Sequence, residues 1–515
     1  MLWLLWLACS PPPTPSDLPV HELAFGGDLC AGKELNASIH DPAKAAAMFA
    51  RAPEVLNGAD LTLVNLEGTI AGGGWLADKG EPRPILYRAR PELAGLLAEA
   101  GIDVVTMANN HAGDYGTDVV RETIDRLAVV GIDTVGAGVD VEAAMAPVYR
   151  QVGDTVVAFV AADLTNTGRF RARADRAGSF VVAPDEAVKV LGPLVSDARQ
   201  HADLVVLTVH WGANFAREPT AETRALGAAL IRAGYDAILG HSAHVPQGVE
   251  LVDGKPIVYD AGNFLTGHEG LRDQATGLVF ALSFTRAGVT AVTAHGIRLE
   301  AGRIVPAPTA VRTWAARTEA LGTPVDDGTV RCDPGALLAA GGPPPPRSAP
   351  PSEPFQAPRD QWVDELPPFA TPLEARFANG MTLLGFRLVA PSLRQPKAAQ
   401  VFDLYFRIDE PQQADLRIEV RGDGAQRDRD LHMPGDWSLG GDELPVGRIL
   451  HDRSLLRIKR ADKGSLEMSV ALYQGDEQVP VLEAPRLHDG GVWLATQHFD
   501  PDAKRVFLYP EMGTP

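Results

Sequence analysis

The sequence is poor in cysteine, in basic charge and in long apolar runs, and each shortage removes a class of protein. Only Cys9, Cys30 and Cys332 occur in 515 residues, too few for the bridge framework that staples small secreted domains. Lys and Arg number 47 against 66 Asp and Glu, a formal net charge of −19. Binding a nucleic acid requires a basic face to displace counterions, so no nucleic-acid partner is expected. The same acidity repels polyanions at long range, and an anionic substrate would need bound cations to offset it. No stretch reaches the 18 or more consecutive apolar residues of a membrane-spanning helix.

Hydrophobic residues make up 45% of the chain and charged residues 22%, enough apolar material for real cores. The length predicts two or three domains. At the start, Met1-Leu2-Trp3-Leu4-Leu5-Trp6-Leu7-Ala8-Cys9-Ser10 is followed abruptly by Pro11-Pro12-Pro13-Thr14-Pro15. An apolar run ending in Leu-Ala-Cys before a proline-rich tether resembles a bacterial lipoprotein signal. Residues 1–9 are therefore expected to be a signal and 10–20 a tether, with export to the cell envelope and attachment to the membrane through a lipid on Cys9. No Lys or Arg precedes the apolar run, and Trp6 stands where such signals usually carry an aliphatic residue.

From residue 21 to 340 strand and helix patterns alternate, the signature of a layered α/β domain. Its centre is Thr106-Met107-Ala108-Asn109-Asn110-His111-Ala112-Gly113-Asp114-Tyr115-Gly116, just past the apolar run Ile102–Val105. Alone, this stretch also reads as a polar turn with Asn109 as a cap. The same pattern recurs, however. Leu23–Phe25 leads to Gly26-Gly27-Asp28, Leu61–Val64 leads to Asn65 and Glu67, Ala202–Val209 leads to His210, and Ala237–Leu239 leads to His241 and His244.

Open α/β sheets place their ligand sites at strand C-termini. Asp28, Asn65, Glu67, Asn110, His111, His210, His241 and His244 together read as a metal centre. Mixed imidazole, carboxylate and amide-oxygen donors suit Mn, Fe or Zn better than Mg or Ca, in one or two ions. His111 is placed as a general acid and Asp114 as its orienting partner. Cys30, nearby, reads as a buried inert thiol.

In this order, Gly27-Asp28, Asn65-Leu66-Glu67, Ala108-Asn109-Asn110-His111 with Asp114, His210-Trp211-Gly212 and Gly240-His241-Ser242-Ala243-His244-Val245 resemble the bacterial capsule-synthesis (CapA) family. Gly254-Lys255-Pro256-Ile257-Val258-Tyr259-Asp260-Ala261-Gly262-Asn263-Phe264 is similar to its last strand-and-loop signature. The likeness covers residues 21 to 320. It implies a calcineurin-like metallophosphatase fold, a role in poly-γ-glutamate capsule production, Asp28, Glu67, Asn110, His210, His241 and His244 as metal ligands, and His111 as the acid.

Several positions depart from that pattern. Cys30 occupies the histidine position of the first metallophosphatase motif, which predicts one ion weakly held or absent. His241 and His244 are separated by two residues instead of one, Ser242 replaces a histidine, and Asn214 replaces an acidic residue.

Residues 341–366, with Gly341-Gly342-Pro343-Pro344-Pro345-Pro346, read as a proline-rich linker. Residues 367–515 alternate at period two in short runs and read as a β-sandwich. Trp437, Trp493 and His432 there are expected as core and turn residues rather than a binding face. The functional expectation is a metal-dependent hydrolase cleaving a phosphoester or a γ-glutamyl amide, working on an anionic polymer or phosphoester beside capsule-synthesis proteins. Two alternatives stay open, a non-catalytic polymer-binding or anchoring component and metal-free acid/base chemistry by His111 and Glu67.

Overall fold

Five apolar strands carry or lead into the residues singled out above: β1 (His21–Ala31), β2 (Leu61–Ile70), β3 (Val104–Thr106), β4 (Leu204–His210) and β5 (Ala237–His241). They belong to a computed structural model that describes residues 18–509, apart from 57, 75–76, 78–84, 166–167, 268–273, 335–340, 359–360, 390–398, 424–426, 436, 458–464 and 501–504. The expected signal segment, Cys9 and most of the tether lie outside the described residues.

Side chains on a strand alternate between faces, and here both faces are apolar. Leu23, Phe25, Leu61, Leu63 and Val104 pack with Phe159, Leu204, Val206 and Leu239 in one buried cluster. Ala24, Val64 and Val105 point the other way, against Leu97, Val120 and Leu127 of helices Leu93–Glu99 and Thr117–Val129. Val205, Leu207 and Val209 pack against Leu191, Val195, Leu230 and Ile231 of helices Ala187–Ala198 and Ala221–Ala233. Two sheets thus face each other between outer helices. This is the layered α/β architecture expected.

In the first sheet β1, β2, β3 and Asp133–Val135 run parallel, and Thr276–Thr285 continues the sheet antiparallel beside β1. In the second, Thr155–Asp163, β4, β5 and Lys255–Val258 are parallel neighbours. The C-terminal ends of β1, β2, β4 and β5 converge, and that convergence positions the site.

The expectation that Asp28, Asn65 and Glu67 follow their strands is corrected. β1 and β2 stay paired through Ala31 and Gly68, with Asp28 beside Asn65 and Cys30 beside Glu67. Polar side chains that satisfy one another let the backbone ladder continue beneath them. An irregularity between Gly26 and Asp28 shifts the register there. Only glycine fits at Gly27, because a Cβ would lie 1.8 Å from the Gly262 carbonyl oxygen.

Residues 341–351 form no regular element but lie along the α/β unit, where the Gly342 amide donates to Gln200 O at 2.7 Å. Trp362–Val363 already pairs with Ile449–Arg457, so the β-domain begins inside the expected linker. Its two antiparallel sheets enclose Phe377, Leu383, Phe402, Phe406, Val470 and Leu494, the core of a sandwich. His432 is fully buried against Asp452 at 2.9 Å and Trp493 is buried, whereas Trp437 is half-buried with φ 71°.

The two units share a polar seam. Arg88 donates to Gly73 O, Gly74 O and Gly435 O at 2.9, 3.0 and 3.0 Å. Arg90 makes a bidentate pair with Glu443 at 2.8 and 2.9 Å and also donates to Ser438 O. Both arginine residues are buried.

Candidate metal centre

β1 and β2 lie side by side in parallel register, so Asp28 and Cys30 on one and Asn65 and Glu67 on the other share a face. β4 and β5 bring His210 next to His241 in register. All of these are buried. The loop after β5 turns through two non-glycine residues with left-handed backbone, Ser242 (φ 120°) and His244 (φ 59°). Such conformations cost about 1–3 kcal/mol each and persist only where neighbours enforce them. Here Asp260 does so, its carboxylate accepting the Ala243 amide at 2.6 Å and the Gly262 amide at 2.7 Å.

The donors fall into two adjacent groups. Asp28, His210 and His241 each offer a ligand atom within 4.8 Å of the others, and Cys30, Glu67 and His244 do the same. The groups touch, since His244 Nδ1 lies 3.1 Å from Asp28 Oδ2 and 3.6 Å from Glu67 Oε2. His210 Nε2 lies 3.8 Å from Glu67 Oε1. Asn110 is next to His111, and its Oδ1 is buried with no hydrogen-bond partner among the described residues. A buried amide oxygen without a donor is costly unless something else satisfies it. That orphan, with six clustered carboxylate, thiol and imidazole groups, fits divalent cations.

The electrostatics agree. Burial drives His210 well below the usual imidazole range and His241 down to about 4, so both rings are neutral with a lone pair to offer. Burial opposes ionisation of Asp28, yet the hydrogen bond and charge of His244 hold it well below the usual carboxylate range. Burial also opposes a charge on His244, but Glu67 and the hydrogen bond to Asp28 raise it well above the ordinary histidine value. A proton on His244 therefore stands where positive charge is wanted. Burial, reinforced by Glu67, pushes the Cys30 thiol up to about 12.

Asn65 is expected as a ligand, but its amide is already engaged. Nδ2 donates to Asp28 Oδ1 at 2.7 Å, and Oδ1 accepts from Asn109 Nδ2 at 2.9 Å. Asn109 also donates to Leu66 O at 2.9 Å and accepts the His111 amide at 3.1 Å, tying the loop after β3 to β2. His111 Nδ1 meets Asp114 Oδ2 at 2.6 Å, as the spacing predicts, and His111 Nε2 points to Glu67 Oε1 at 3.7 Å. Asp114 is fixed in turn by the Tyr87 amide at 2.8 Å, and the Tyr87 ring lies 4.7 Å from the His111 ring.

Asp28, Asn65, Glu67, His111, His210, His241 and His244 are thus brought to one place, with Asp114 behind His111 and Asn110 beside it in sequence. Sequence reasoning missed the roles of Asp260, Asn263 and Tyr87. Asn263 Oδ1 lies 3.0 Å from His244 Nδ1 and 3.8 Å from Cys30 Sγ. Asp260 and Asn263 follow the apolar strand Lys255–Val258, the same signal that singled out the other residues.

Several known proteins are similar to this chain. The chain is 34% identical over 220 residues to a Mycobacterium tuberculosis protein named "Probable polyglutamine synthesis accessory protein", covering 41% of this chain and 57% of that protein. It is 29% identical over 260 residues to the PGA biosynthesis protein CapA of Bacillus subtilis, covering 50% of this chain and 66% of that protein. The match to the mycobacterial protein thus spans a little over half of that relative's length. Among solved structures, the Haemophilus influenzae NAD nucleotidase aligns with a TM-score of 0.31 and 13% identity, covering 56% of this chain and 54% of that one. Residues 22–268, which hold every donor described above, match the model of the bacterial capsule synthesis protein PGA_cap.

Proposed function

We propose that the α/β unit is a metal-dependent hydrolase of capsule or poly-γ-glutamate synthesis and processing, cleaving a phosphoester or a γ-glutamyl amide. The observation that carries this reading is the placement of His111, whose Nε2 faces Glu67 at 3.7 Å while Asp114 holds Nδ1 at 2.6 Å. An acid poised beside a cluster of cation donors is what hydrolysis of a poor leaving group requires.

Asp28, His210 and His241 would hold one ion and Glu67 and His244 would take part in holding a second, with Asn110 Oδ1 a further donor. Divalent Mn, Fe or Zn bound there supplies Lewis acidity, activating water and neutralising a developing oxyanion. The remaining work belongs to the chain. Asp114 keeps a proton on His111 Nδ1 and fixes the ring, so Nε2 is the atom that passes a proton to the leaving group. Asn65 and Asn109 act as positioning residues, the first orienting Asp28 and the second anchoring the His111 loop. The Tyr87 ring shields one side of the imidazole from water.

Export, a lipid on Cys9 and work beside other capsule-synthesis proteins complete the proposal, with the sandwich serving attachment or recognition. The test is metal analysis of the purified full chain, with phosphodiesters and poly-γ-glutamate assayed for wild type and His111→Ala. Metal-containing protein with His111-dependent turnover supports the hydrolase. Metal-free protein without such turnover on either substrate overturns it and favours a polymer-binding or anchoring role.

A further inference from the structure

We propose that Cys30 is a thiolate ligand of the second ion, so that Cys30, Glu67, His244 and Asn263 form a mixed sulfur, nitrogen and oxygen site selective for a zinc-like cation over magnesium or manganese. This rests on the reading of the centre as metal-binding and adds to it a residue, a donor type and a metal preference.

An inert buried thiol sits among carbon atoms, and Cys30 does not. Its Sγ lies 3.5 Å from Glu67 Oε2 and 3.8 Å from Asn263 Oδ1, and it falls in one cluster with His244. Strand geometry makes this placement unavoidable. Two residues apart on β1, Asp28 and Cys30 point to the same face, so one strand supplies a donor to each group. Glu67 is the cross-strand partner of Cys30, which fixes carboxylate beside sulfur.

Three of these donors also hold one another. His244 Nδ1 contacts Asn263 Oδ1 at 3.0 Å and Glu67 Oε2 at 3.6 Å. The Asn263 amide is oriented by Nδ2, which donates to Gln274 O at 3.0 Å and leaves Oδ1 directed at the cluster.

Donor chemistry then selects the ion. Magnesium and manganese favour all-oxygen shells, whereas a thiolate with an imidazole and one or two oxygens suits a four-coordinate zinc-like ion. The Cys30 thiol proton and the proton held on His244 both leave to solvent as sulfur and nitrogen bind, so charge balances with two protons released per ion taken up. The first group, Asp28, His210 and His241, has no sulfur and carries no such preference. The expectation of a weak or missing ion at the Cys30 position is thereby replaced by an ion of different chemical character.

Cobalt(II) tests this by spectroscopy, because sulfur bound to cobalt gives an intense near-ultraviolet charge-transfer band that oxygen and nitrogen donors do not. Full-length protein stripped with a chelator is titrated with cobalt, in wild type, Cys30→Ser, Cys9→Ser and Cys332→Ser. The band is expected in wild type and in both control variants. In Cys30→Ser it is lost while the fold persists by far-ultraviolet circular dichroism. In competition, Cys30→Ser is expected to weaken zinc at one site by about tenfold or more and manganese by less. Cobalt bound by wild type without a band overturns the thiolate and leaves the metal centre standing, and so does a band that vanishes with Cys9 or Cys332. No cobalt uptake at all overturns both. The wild-type spectrum decides the matter even if Cys30→Ser fails to fold.

Discussion

His111 and Asp114 are joined at 2.6 Å between Nδ1 and Oδ2, three residues apart on a loop that follows β3. The contact decides which imidazole nitrogen is free to work. Replacing His111 with Ala is expected to lower turnover about 10²–10⁴-fold, the usual contribution of a general acid, with bound metal unchanged. Asp114→Asn keeps the shape but can place the proton on the wrong nitrogen, and a smaller loss with a shifted pH profile is expected. Steady-state rates beside metal analysis check both. Equal metal loss in the two variants would show that the loop serves binding rather than proton transfer.

Metal should stabilise the fold through Asp28. Adding cation raises the melting temperature of a protein that binds it only when folded. Asp28→Ala is expected to abolish that rise for one ion. It also strands the Asn65 Nδ2 and Ser242 amide donors, which now reach Asp28 at 2.7 and 3.3 Å, costing about 1–3 kcal/mol without metal. Thermal melts with and without cation separate the two effects. An undiminished cation-dependent rise in the variant would remove Asp28 from the ligand set.

Gly27 tests the backbone beneath the site. A methyl group there would meet Gly262 O at 1.8 Å, and neither backbone segment is free to move, because Asp28 N donates to Gly262 O at 2.8 Å and Gly262 N is bound by Asp260. Gly27→Ala is expected to destabilise by about 1–3 kcal/mol or more, read by chemical denaturation. A variant as stable as wild type would mean that β1 and the loop after Tyr259 sit farther apart.

The seam between the units predicts a pH effect. Burial works against ionisation of Glu443, but its hydrogen bonds from Arg90 hold it below the ordinary glutamate range. A depressed carboxylate contributes stability that is complete above its unfolded value of about 4.3 and disappears as pH falls through the folded value. Wild type should therefore melt above Glu443→Gln at neutral pH, with the gap closing below about pH 4. A gap that is constant down to pH 3 would contradict this pairing.

Much of the centre was legible because its residues share one signature, a polar side chain at or near the end of an apolar strand. Asp28, Glu67, His210 and His241 could be found that way. Helix Ala221–Ala233 carries legible ends as well, with Thr220 accepting the Thr223 amide at its start and Gly234 at its end. Other features depend on three-dimensional neighbours. Nothing local distinguishes Asn65, which orients a carboxylate, from Asn110, whose oxygen has no partner. Cys30 looks inert until β2 sets Glu67 beside it. The continuation of β1 and β2 past their polar residues was also hidden, since polarity normally signals a strand's end.

The short strand Arg88–Ala89 ties the sandwich mechanically to the His111 loop. Tyr87 lies against the His111 ring, and the adjacent Arg88 reaches Gly435 in the other unit, with its guanidinium 4.2 Å from the Tyr115 ring. Two neighbouring residues therefore span the distance from the His111 imidazole to the C-terminal domain. A chain cut at the linker would leave the guanidinium groups of Arg88 and Arg90 without their C-terminal acceptors, one residue from the Tyr87 ring that packs on the imidazole. The sandwich is thus a brace for His111 as well as a neighbour of the α/β unit.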